Sequence, residues 1–480
     1  MLRSTRGVAL LTLALINVFT LAAGVTLVRM LPSRLAMLKP VQVADRPDVA
    51  ASSVLGPVPG TGLSTASGGP TSSGLDSALA AVLSSATLGP GVSAEVADSS
   101  GHVLWSRSPG QMTAPASTEK VATAVAALAV LGPGTRFTTK VVSGTGDSIV
   151  LVGGGDPTLT AGAPPSSEYP QPATLQALAA STAKALRAAH RSQVELDYDT
   201  SLYTGPGLAP GWPESYVTTG DVTVITSLEV DQGRVTTSDT PEDADDPTNF
   251  RPRATDPAGE AAASFAGFLA ADGITVTGDP SAGTAARGAT MLGSVSSPPL
   301  SAMVEQMLLE SNNVIAENLA RHVALANGHP ASFAGAAAAE TAVLARLGIG
   351  AGFDLVDGSG LSPADKIAPS ALVNLLTLAA SPQHATLRAA ITGLPVAGFA
   401  GTLSEGQSVF GAIGGPARGV VRAKTGNLST VVALAGLVYD QGGHVLVFSF
   451  DAASVPGADL DSAASALNDA ASALASCGCR

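Results

Sequence analysis

The chain carries three short polar motifs, and each lies at the beginning of a segment with the apolar pattern of a helix or a strand. They are Ser117-Thr118-Glu119-Lys120, Ser311-Asn312-Asn313 and Lys424-Thr425-Gly426, and two of the six lysines lie in them. The segments that hold the motifs, residues 75–134 and 298–480, combine a strand hairpin, long helices and a strand-rich end. They predict one α+β domain that carries all three motifs.

Residues 135–297, between these segments, change in character. They mix strand-like stretches, a helix at 173–190 and an acidic, proline-containing stretch at 238–257 that is predicted to be an exposed loop. Because an insertion is tolerated where chain ends lie close together at a surface, we expect 135–297 to form inserted domains of mixed α/β structure. Elsewhere the apolar spacing predicts these elements: helices at 75–87, 117–131, 300–325, 334–347 and 459–475, and strands at 92–98, 102–108, 422–426, 430–440 and 444–452.

The amino terminus contains an uncharged, mostly apolar run, residues 7–28, between Arg6 and Arg29. At 1.5 Å per residue the run is long enough to cross a bilayer core of about 30 Å. It exceeds the usual signal-peptide core of about 7–15 residues, and no clean Ala-x-Ala cleavage site follows. Residues 1–30 are therefore predicted to be a membrane anchor or, less favoured, a cleaved signal peptide. Either one places the rest of the chain outside the cytoplasm, anchored in the envelope or secreted.

Residues 31–74 are rich in Pro, Gly, Ser and Thr without apolar periodicity, which predicts a flexible linker. The formal net charge of −13 gives no electrostatic basis for nucleic-acid binding. Cys477 and Cys479 could form a local disulfide or remain two thiols without a catalytic role. No metal-binding spacing is present, and we expect neither a structural metal nor a cofactor.

The first motif can activate a nucleophile. Ser117 follows Pro115 at the predicted start of a helix, and Lys120 lies one turn later on the same face. A serine hydroxyl needs a base to become a good nucleophile, and a partly buried lysine with a lowered pKa can serve. The helix amino terminus adds positive potential for an oxyanion. Taken alone, Ser117 could equally be a helix cap.

The spacing Ser-x-x-Lys is weak evidence by itself, because Ser181 and Lys184 also match it. Ser181 lies in the middle of the predicted helix 173–190, where its hydroxyl would bond the preceding turn. We interpret Ser181 as structural.

The second and third motifs supply complementary groups. Ser311 could relay a proton and Asn313 could bind a substrate amide, although a turn or a helix cap would explain both residues. Lys424 and Thr425 suit a terminal carboxylate, and Gly426 lets a substrate backbone lie close to a strand. The order of the three motifs along the chain is that of serine DD-peptidases and serine β-lactamases.

The sequence resembles the low-molecular-mass class C penicillin-binding proteins, the D-alanyl-D-alanine carboxypeptidase/endopeptidase family S13, over about residues 75–475. Ser311 lies 194 positions after Ser117, a gap that resembles this family and exceeds that of β-lactamases. Four further segments carry the resemblance: VGGGDPTL (152–159), DTSLYTGPGLAPGW (199–212), DGSGLS (357–362) and LPVAGFAGTL (394–403).

The resemblance implies a penicillin-binding-protein or serine β-lactamase-like fold, with an antiparallel sheet flanked by helices, a helical subdomain and the inserted region. It implies a D-Ala-D-Ala carboxypeptidase, or also an endopeptidase, that acts on peptidoglycan stem peptides at a bacterial membrane. Ser117 would be acylated, also by β-lactams, and Lys120 would be its base. Ser311 and Asn313 would complete the polar cluster.

The resemblance also implies the substrate contacts. Lys424, Thr425 and Gly426 would dock the terminal carboxylate, and the backbone N–H groups of Ser117 and Asn427 would form the oxyanion hole. Family members often have Thr at the position of Asn427, a change that a backbone donor tolerates.

Asp199 falls where the family can bind the amine of a diaminopimelate side chain, although an exposed or capping Asp is the alternative. The family commonly has Arg after DGSGLS, whereas this chain has Pro363, so recognition of the diaminopimelate carboxylate would need Lys366 or Arg388. Asp357 and Ser359 are expected in a buried turn or in the wall of the site.

Two other functions remain open at this stage. A β-lactamase would need a carboxylate that promotes deacylation, and no matching Glu can be identified. A scaffold protein with a decayed site is disfavoured, since all three motifs are intact. A histidine-dependent hydrolase is also disfavoured, because the six histidines lie in unrelated contexts and Gly-x-Ser-x-Gly is absent from the sequence.

Overall fold

The structure, a computed structural model, describes residues 69–164, 169–235, 251–404, 410–411 and 413–479. The predicted anchor or signal segment 1–30 lies outside these residues, as do most of the linker 31–74 and most of the acidic stretch 238–257. In the described part of the chain, no helix is both long and apolar enough to span a membrane. The assignment of residues 1–30 stays a prediction.

The described strands are, in chain order, β1 (Val92–Asp98), β2 (Val103–Arg107), β3 (Thr138–Ser143), β4 (Ser148–Val152), β5 (Gln193–Asp199), β6 (Thr275–Val276), β7 (Ser281–Ala282), β8 (Met291–Ser296), β9 (Phe353–Asp354), β10 (Lys366–Ile367), β11 (Val421–Leu428), β12 (Val431–Tyr439) and β13 (Val445–Ala452). The described α-helices are α1 (Ser72–Leu79), α2 (Lys120–Leu131), α3 (Leu175–Ala188), α4 (Ser215–Thr218), α5 (Pro257–Ala271), α6 (Leu300–Glu310), α7 (Asn313–Ala326), α8 (Phe333–Arg346), α9 (Pro369–Ala380), α10 (Ala389–Thr392) and α11 (Leu460–Ala475).

A five-stranded antiparallel sheet joins the two ends of the described chain. Its strand order is β11-β12-β13-β1-β2, so the hairpin β1–β2 from the amino-terminal part adds to three carboxy-terminal strands. β11 forms one edge of the sheet and β2 the other. The third polar motif therefore lies on an edge strand.

Helices cover both faces of this sheet. Alternate side chains of β12 and β13, such as Leu434 and Phe448, pack with α11 in one apolar cluster. The intervening residues of these strands are buried as well, and helix α9 contacts β1 and β13. Burial on both faces explains why these strands are nearly continuous apolar runs in the sequence.

A second sheet, of six strands, forms within residues 138–296. Its order is β6-β5-β4-β3-β8, with β7 paired to β5, and parallel and antiparallel pairs are mixed. Helices α3 and α5 pack on it around Phe265, Leu178 and Leu196. A mixed sheet agrees with the α/β character expected for 135–297, while the domain limits themselves stay a prediction.

The helix predicted over 300–325 is in fact two helices, so that prediction was wrong. α6 ends where Ser311 adopts a left-handed conformation with φ of 61°. Asn312 then caps α7, its Oδ1 accepting from the Ile315 N–H at 3.0 Å. An apolar pattern can run through such a break, because one left-handed residue turns the chain without removing the buried side chains on either side.

The carboxy-terminal tail is held against α1. Cys477 and Cys479 are joined by a disulfide, the local bridge that the sequence left open. The Cys479 carbonyl oxygen accepts from the Thr71 N–H at 2.7 Å. Helix α1 itself is shorter than the predicted helix 75–87, because two 3₁₀ turns follow it.

Candidate active site

The site begins at the 3₁₀ turn Ala116–Glu119, which leads directly into α2. Ser117 is half-buried on this turn, and Lys120, the first residue of α2, is completely buried. The Lys120 Nζ lies 2.8 Å from the Ser117 Oγ. The one-turn spacing predicted from the sequence thus brings the hydroxyl and the amine into hydrogen-bond contact.

Two more oxygens bind the same amine. Lys120 Nζ donates to Asn313 Oδ1 at 2.7 Å and to the Ser359 carbonyl oxygen at 2.7 Å. Burial lowers the pKa of Lys120 to about 8, although the neighbouring carboxyl groups of Asp357, Glu317 and Glu119 oppose the shift in their ionised forms. The amine is therefore held in place and is far easier to deprotonate than a lysine in water.

The break between α6 and α7 delivers Asn313 to Lys120. Asn313 Nδ2 donates to the Asp221 carbonyl oxygen at 2.8 Å, which fixes the amide so that Oδ1 faces the lysine. Asn312 Nδ2 donates to Gln232 Oε1 at 2.9 Å. Ser311 lies at the break itself. A cavity of about 100 Å³ opens beside it, and its lining includes Asp221, Arg234, Arg253, Ser311, Asn312 and Asn313.

The third motif lies on β11, directly against the serine turn. A Cβ on Gly426 would lie 2.9 Å from the Pro115 carbonyl oxygen and 3.1 Å from the Ser117 nitrogen. Real Cβ atoms are very seldom that close to other heavy atoms, so the approach of strand and turn requires glycine. This contact brings the third motif to the first.

Lys424 and Thr425 precede this glycine. Lys424 is completely buried, its Nζ donates to the Thr425 carbonyl oxygen at 2.8 Å, and burial together with the charge of Lys120 lowers its pKa well below the ordinary range. The hydroxyls of Thr425 and Thr402 share a hydrogen bond of 2.7 Å. Asn427, the next residue after Gly426, is exposed.

Asp199 lies at the end of β5 and is buried. Its Oδ1 accepts from the Ser201 N–H and its Oδ2 from the Ala285 N–H, each at 2.8 Å. Burial alone would raise the pKa of Asp199, but these hydrogen bonds outweigh burial and lower it. Its role in specificity stays a prediction. Near Pro363, the Lys366 Nζ donates to the Pro363 carbonyl oxygen at 2.8 Å.

The second match to Ser-x-x-Lys, Ser181 with Lys184, is called the decoy motif here, and the contacts of its serine are structural. Ser181 lies inside α3, and its Oγ donates to the Leu178 carbonyl oxygen at 2.8 Å, as predicted from its position in the helix. Lys184, its motif partner, is exposed.

The sequence did not reveal a group of buried carboxyls behind Lys120. Oxygens of Glu119, Asp357 and Asp365 lie within 4.8 Å of one another, a spacing that could hold a cation. The Asp357 oxygens already accept hydrogen bonds from four N–H groups and from the Ser359 hydroxyl. Burial raises the pKa of Glu119 well above its usual range and that of Asp365 to about 9.

Comparison with known proteins agrees with this geometry. The model of the D-Ala-D-Ala carboxypeptidase 3 (S13) family matches residues 75–253 and 241–474. The carboxypeptidase DacB of Mycolicibacterium smegmatis is 36% identical over 417 residues, which cover 85% of each chain. A D-alanyl-D-alanine carboxypeptidase of an Actinomadura species is 30% identical over 408 residues, covering 70% of this chain and 73% of the relative.

Solved structures show the same fold. The crystal structure of penicillin binding protein 4 from Haemophilus influenzae superimposes with a TM-score of 0.65 at 23% identity, covering 83% of this chain and 97% of that one. A second structure of that protein, with a bound β-lactam, has a TM-score of 0.59. These likenesses confirm the predicted α+β fold. With three intact motifs and matches over most of its length, the chain belongs to the D-Ala-D-Ala carboxypeptidase 3 (S13) family.

Proposed function

We propose that the protein is a serine D-Ala-D-Ala carboxypeptidase that acts on peptidoglycan stem peptides through an acyl-enzyme on Ser117. The observation that carries the proposal is a completely buried lysine, with its pKa lowered to about 8, whose Nζ lies 2.8 Å from the serine hydroxyl. Such an amine can take the proton of the serine at neutral pH, which is the step that a free serine lacks.

The neighbours of Lys120 support its role as the base. A neutral amine has two N–H bonds and one lone pair, whereas an ammonium has three N–H bonds. The Ser359 carbonyl oxygen can only accept, and Asn313 Oδ1 is held as an acceptor by the bond from its own amide nitrogen to Asp221. When the amine is neutral, these oxygens take both N–H bonds. The lone pair is then left for the Ser117 hydroxyl.

The reaction has two steps. Lys120 takes the proton from Ser117 Oγ, the oxygen attacks the carbonyl carbon between the two D-alanines, and the peptide bond breaks. The leaving nitrogen takes a proton, for which Ser311 is the proposed relay, and departs as D-alanine. Water then hydrolyses the ester and regenerates Ser117.

The substrate is proposed to lie along the edge strand β11. Lys424 supplies an amine whose charged form a bound carboxylate would favour, and Thr425 supplies a hydroxyl for the same carboxylate. Gly426 keeps the strand close to Ser117. The backbone N–H groups of Ser117 and Asn427 are the proposed oxyanion hole. Asp199 is kept as a candidate for the side-chain amine of the stem peptide.

Family membership implies action outside the cytoplasm, on the cell wall. We propose further that residues 1–30 attach the protein to the bacterial membrane or direct its secretion, and that β-lactams acylate Ser117. The complex of the Haemophilus protein with a β-lactam supports the second point.

The test uses residues 31–480, which include the predicted linker but not the predicted anchor, and a fluorescent penicillin. The wild type and Ser181→Ala should give a stable covalent label, and Ser117→Ala should give none. Ser181 is the matched control because it has the same Ser-x-x-Lys spacing in a helix. Rapid release of the label would indicate a β-lactamase instead, and a wild type that is never labelled would indicate a scaffold.

The natural reaction is tested with isolated muropeptides. Release of D-alanine by the wild type, lost in Ser117→Ala, is the expected result. Cleavage of cross-linked dimers in the same assay would add the endopeptidase activity, and absence of both products would contradict the proposed function.

A further inference from the structure

The third oxygen bound to Lys120 belongs to a tight turn, Asp357–Ser362, that lies behind the site. Its Ser359 carbonyl oxygen is 2.7 Å from the Lys120 Nζ. Gly360 has φ of 77°, and a Cβ there would lie 2.0 Å from the Ala116 carbonyl oxygen. The turn is therefore pressed against the residue that precedes Ser117, and its position sets where Lys120 can donate.

The Asp357 carboxylate organises this turn. Oδ1 accepts from the N–H groups of Ser359 and Gly360 at 3.0 and 2.7 Å, and Oδ2 accepts from the Ser362 N–H at 2.8 Å. Asp357 is 1% exposed, so these bonds are made out of contact with water. A buried carboxylate that receives several N–H groups holds the backbone in one conformation.

Two helices clamp the turn at Gly358. Its carbonyl oxygen accepts from Thr123 Oγ1 on α2 at 2.7 Å, and its N–H donates to Glu317 Oε1 on α7 at 3.1 Å. The turn is thus tied to the helix that carries Lys120 and to the helix that carries Asn313. The two acceptors of the Lys120 amine, the Ser359 carbonyl oxygen and Asn313 Oδ1, are thereby fixed relative to the lysine.

The remaining bond to Asp357 comes from outside these helices. The indole Nε1–H of Trp212 donates to Asp357 Oδ2 at 2.7 Å. Trp212 is 7% exposed and packs edge-to-face on Phe333, with ring centroids 5.3 Å apart. Trp212 lies between β5 and α4, within residues 135–297. Among the described contacts it is a direct link from that region to the turn.

We infer that Asp357 and Trp212 are positioning residues for the general base, and that Trp212 makes the orientation of Lys120 depend on the inserted region. This inference rests on the proposed function, since it concerns the same lysine. Trp212 holds Asp357 Oδ2, Asp357 holds the Ser359 carbonyl oxygen, and that oxygen takes an N–H bond of Lys120. Loosening the indole contact would leave the lysine in place but would misdirect its lone pair.

The charge of Asp357 adds a second, separable effect. Several elements bring titratable groups to the surroundings of Lys120. They are Glu119 on the serine turn, Glu317 on α7, Glu340 on α8, Asp357 and Asp365 on and after the Asp357–Ser362 turn, and Lys424 on β11. Asp357 raises the pKa of Lys120. Asp357→Asn should therefore move the rising limb of the acylation rate to lower pH. Trp212→Phe removes no charge and should not move it.

The chain offers a matched control, because it has two tryptophans and the indole of each donates to an aspartate. Trp105 Nε1 donates to Asp76 Oδ1 at 3.1 Å and is 6% exposed. It lies on β2, the sheet edge opposite to β11. Trp105→Phe and Trp212→Phe each remove one indole N–H and keep an aromatic ring.

The experiment measures acylation by a fluorescent penicillin against concentration and pH. For Trp212→Phe we expect the maximal acylation rate constant to fall about tenfold at an unchanged half-saturating concentration, because a hydrogen bond to a charged group is lost behind the base. For Trp105→Phe we expect the wild-type rate. For Asp357→Asn we expect a larger fall in the maximal acylation rate constant, and we expect the rising limb of the pH profile to move to lower pH.

Equal rates for Trp212→Phe, Trp105→Phe and the wild type would overturn the inference while leaving the proposed function intact. A weaker half-saturation with an unchanged maximal rate would also overturn it, since that result places Trp212 in substrate binding. If Asp357→Asn does not fold, the two tryptophan variants decide the matter. A wild type that is not acylated would instead remove the proposed function and this inference with it.

Discussion

Lys120, the proposed base, has a pKa near neutrality because burial and the surrounding carboxyls act on it in opposite directions. Burial lowers the pKa to about 8, and the carboxyls around it limit the fall. With a pKa of 8, roughly one lysine in ten is neutral at pH 7, against roughly one in three thousand at the ordinary value. The net shift in pKa thus raises the fraction of the reactive, neutral amine by about two and a half orders of magnitude at pH 7.

The acylation rate should therefore rise with pH through about 8 and level off above it, because only neutral Lys120 can take the proton. Lys120→Arg, which stays protonated, should lower the rate by about 10²–10⁴-fold. Stopped-flow labelling with a fluorescent penicillin from pH 5.5 to 9.5 gives the profile. Lys184→Arg, at the decoy motif, is the matched control and should leave it unchanged. A flat wild-type profile would count against Lys120 as the base.

A second prediction concerns Glu119, whose pKa burial raises well above its usual range. Its folded-state pKa exceeds the unfolded one, so its contribution to stability is complete below pH 4.5 and is lost as the pH rises toward the folded pKa. The slope is at most about 1.4 kcal/mol per pH unit. The Glu119→Gln side chain cannot ionise. The free energy of unfolding of this variant should therefore fall less steeply between pH 5 and 8 than that of the wild type.

Urea unfolding at several pH values measures this slope. Glu195→Gln, at an exposed position on β5, is the control and should follow the wild type. Parallel pH curves for the wild type and Glu119→Gln would show that Glu119 ionises normally in the folded protein.

At the scale of elements, the sequence predicted regular structure better than its interruptions. The helix after Ser117 and the strands β11, β12 and β13 were predicted to within about three residues, because their apolar patterns are set by the core they enter. The break at Ser311 was not placed inside the predicted helix 300–325, because the apolar pattern continues through it, although the sequence left open a turn or a helix cap at this motif and Asn312 is such a cap.

The candidate site shows the same division. The spacing of Ser117 and Lys120 is local and could be read directly. The Ser359 carbonyl oxygen could not, because a backbone oxygen carries no sequence signature and becomes a ligand only when the chain folds. The buried carboxyl Glu119 was also missed, since a glutamate on a short motif is ordinarily exposed.

The contact between β11 and the serine turn gives a prediction at this scale. Gly426→Ala places a Cβ about 3 Å from backbone atoms of Pro115 and Ser117, so strand and turn must separate. Acylation should slow by about 10²-fold, as a misplacement of this size does in other sites. Gly110→Ala has no neighbour within 4 Å of the added Cβ and serves as the control. Equal acylation rates for both variants would show that the close approach does not matter.

At the scale of the whole molecule, helix α7 makes hydrogen bonds at several points with residues 135–297, which contain the second sheet. Asn313 bonds the Asp221 carbonyl oxygen, Asn318 bonds Glu229 Oε1 at 3.0 Å, and His322 Nε2 lies 2.9 Å from the Gly155 carbonyl oxygen. Residues 135–297, the predicted insertion, therefore contact the same helix that places Asn313 Oδ1 beside Lys120. Their stability and the geometry of the site are physically linked.

His322 makes this link sensitive to acid. Its ring stacks on Phe137 with centroids 3.5 Å apart, and burial lowers its pKa to about 4. Because the folded-state pKa lies below the unfolded value of about 6.5, its contribution to stability is present above pH 6.5. That contribution is lost as the pH falls from 6.5 toward 4, by at most about 1.4 kcal/mol per unit.

His322→Gln keeps a side-chain N–H for Gly155 but cannot be protonated. Because it loses the ring that stacks on Phe137, it should be less stable than the wild type at pH 7 by about 1–2 kcal/mol. Its further loss of stability between pH 6.5 and 4 should be shallower. Urea unfolding across that range tests both points, with His329→Gln, just beyond the same helix, as the control. If the wild type and His322→Gln lose stability in parallel on acidification, the histidine is protonated in the folded state and the link is not the acid-sensitive contact.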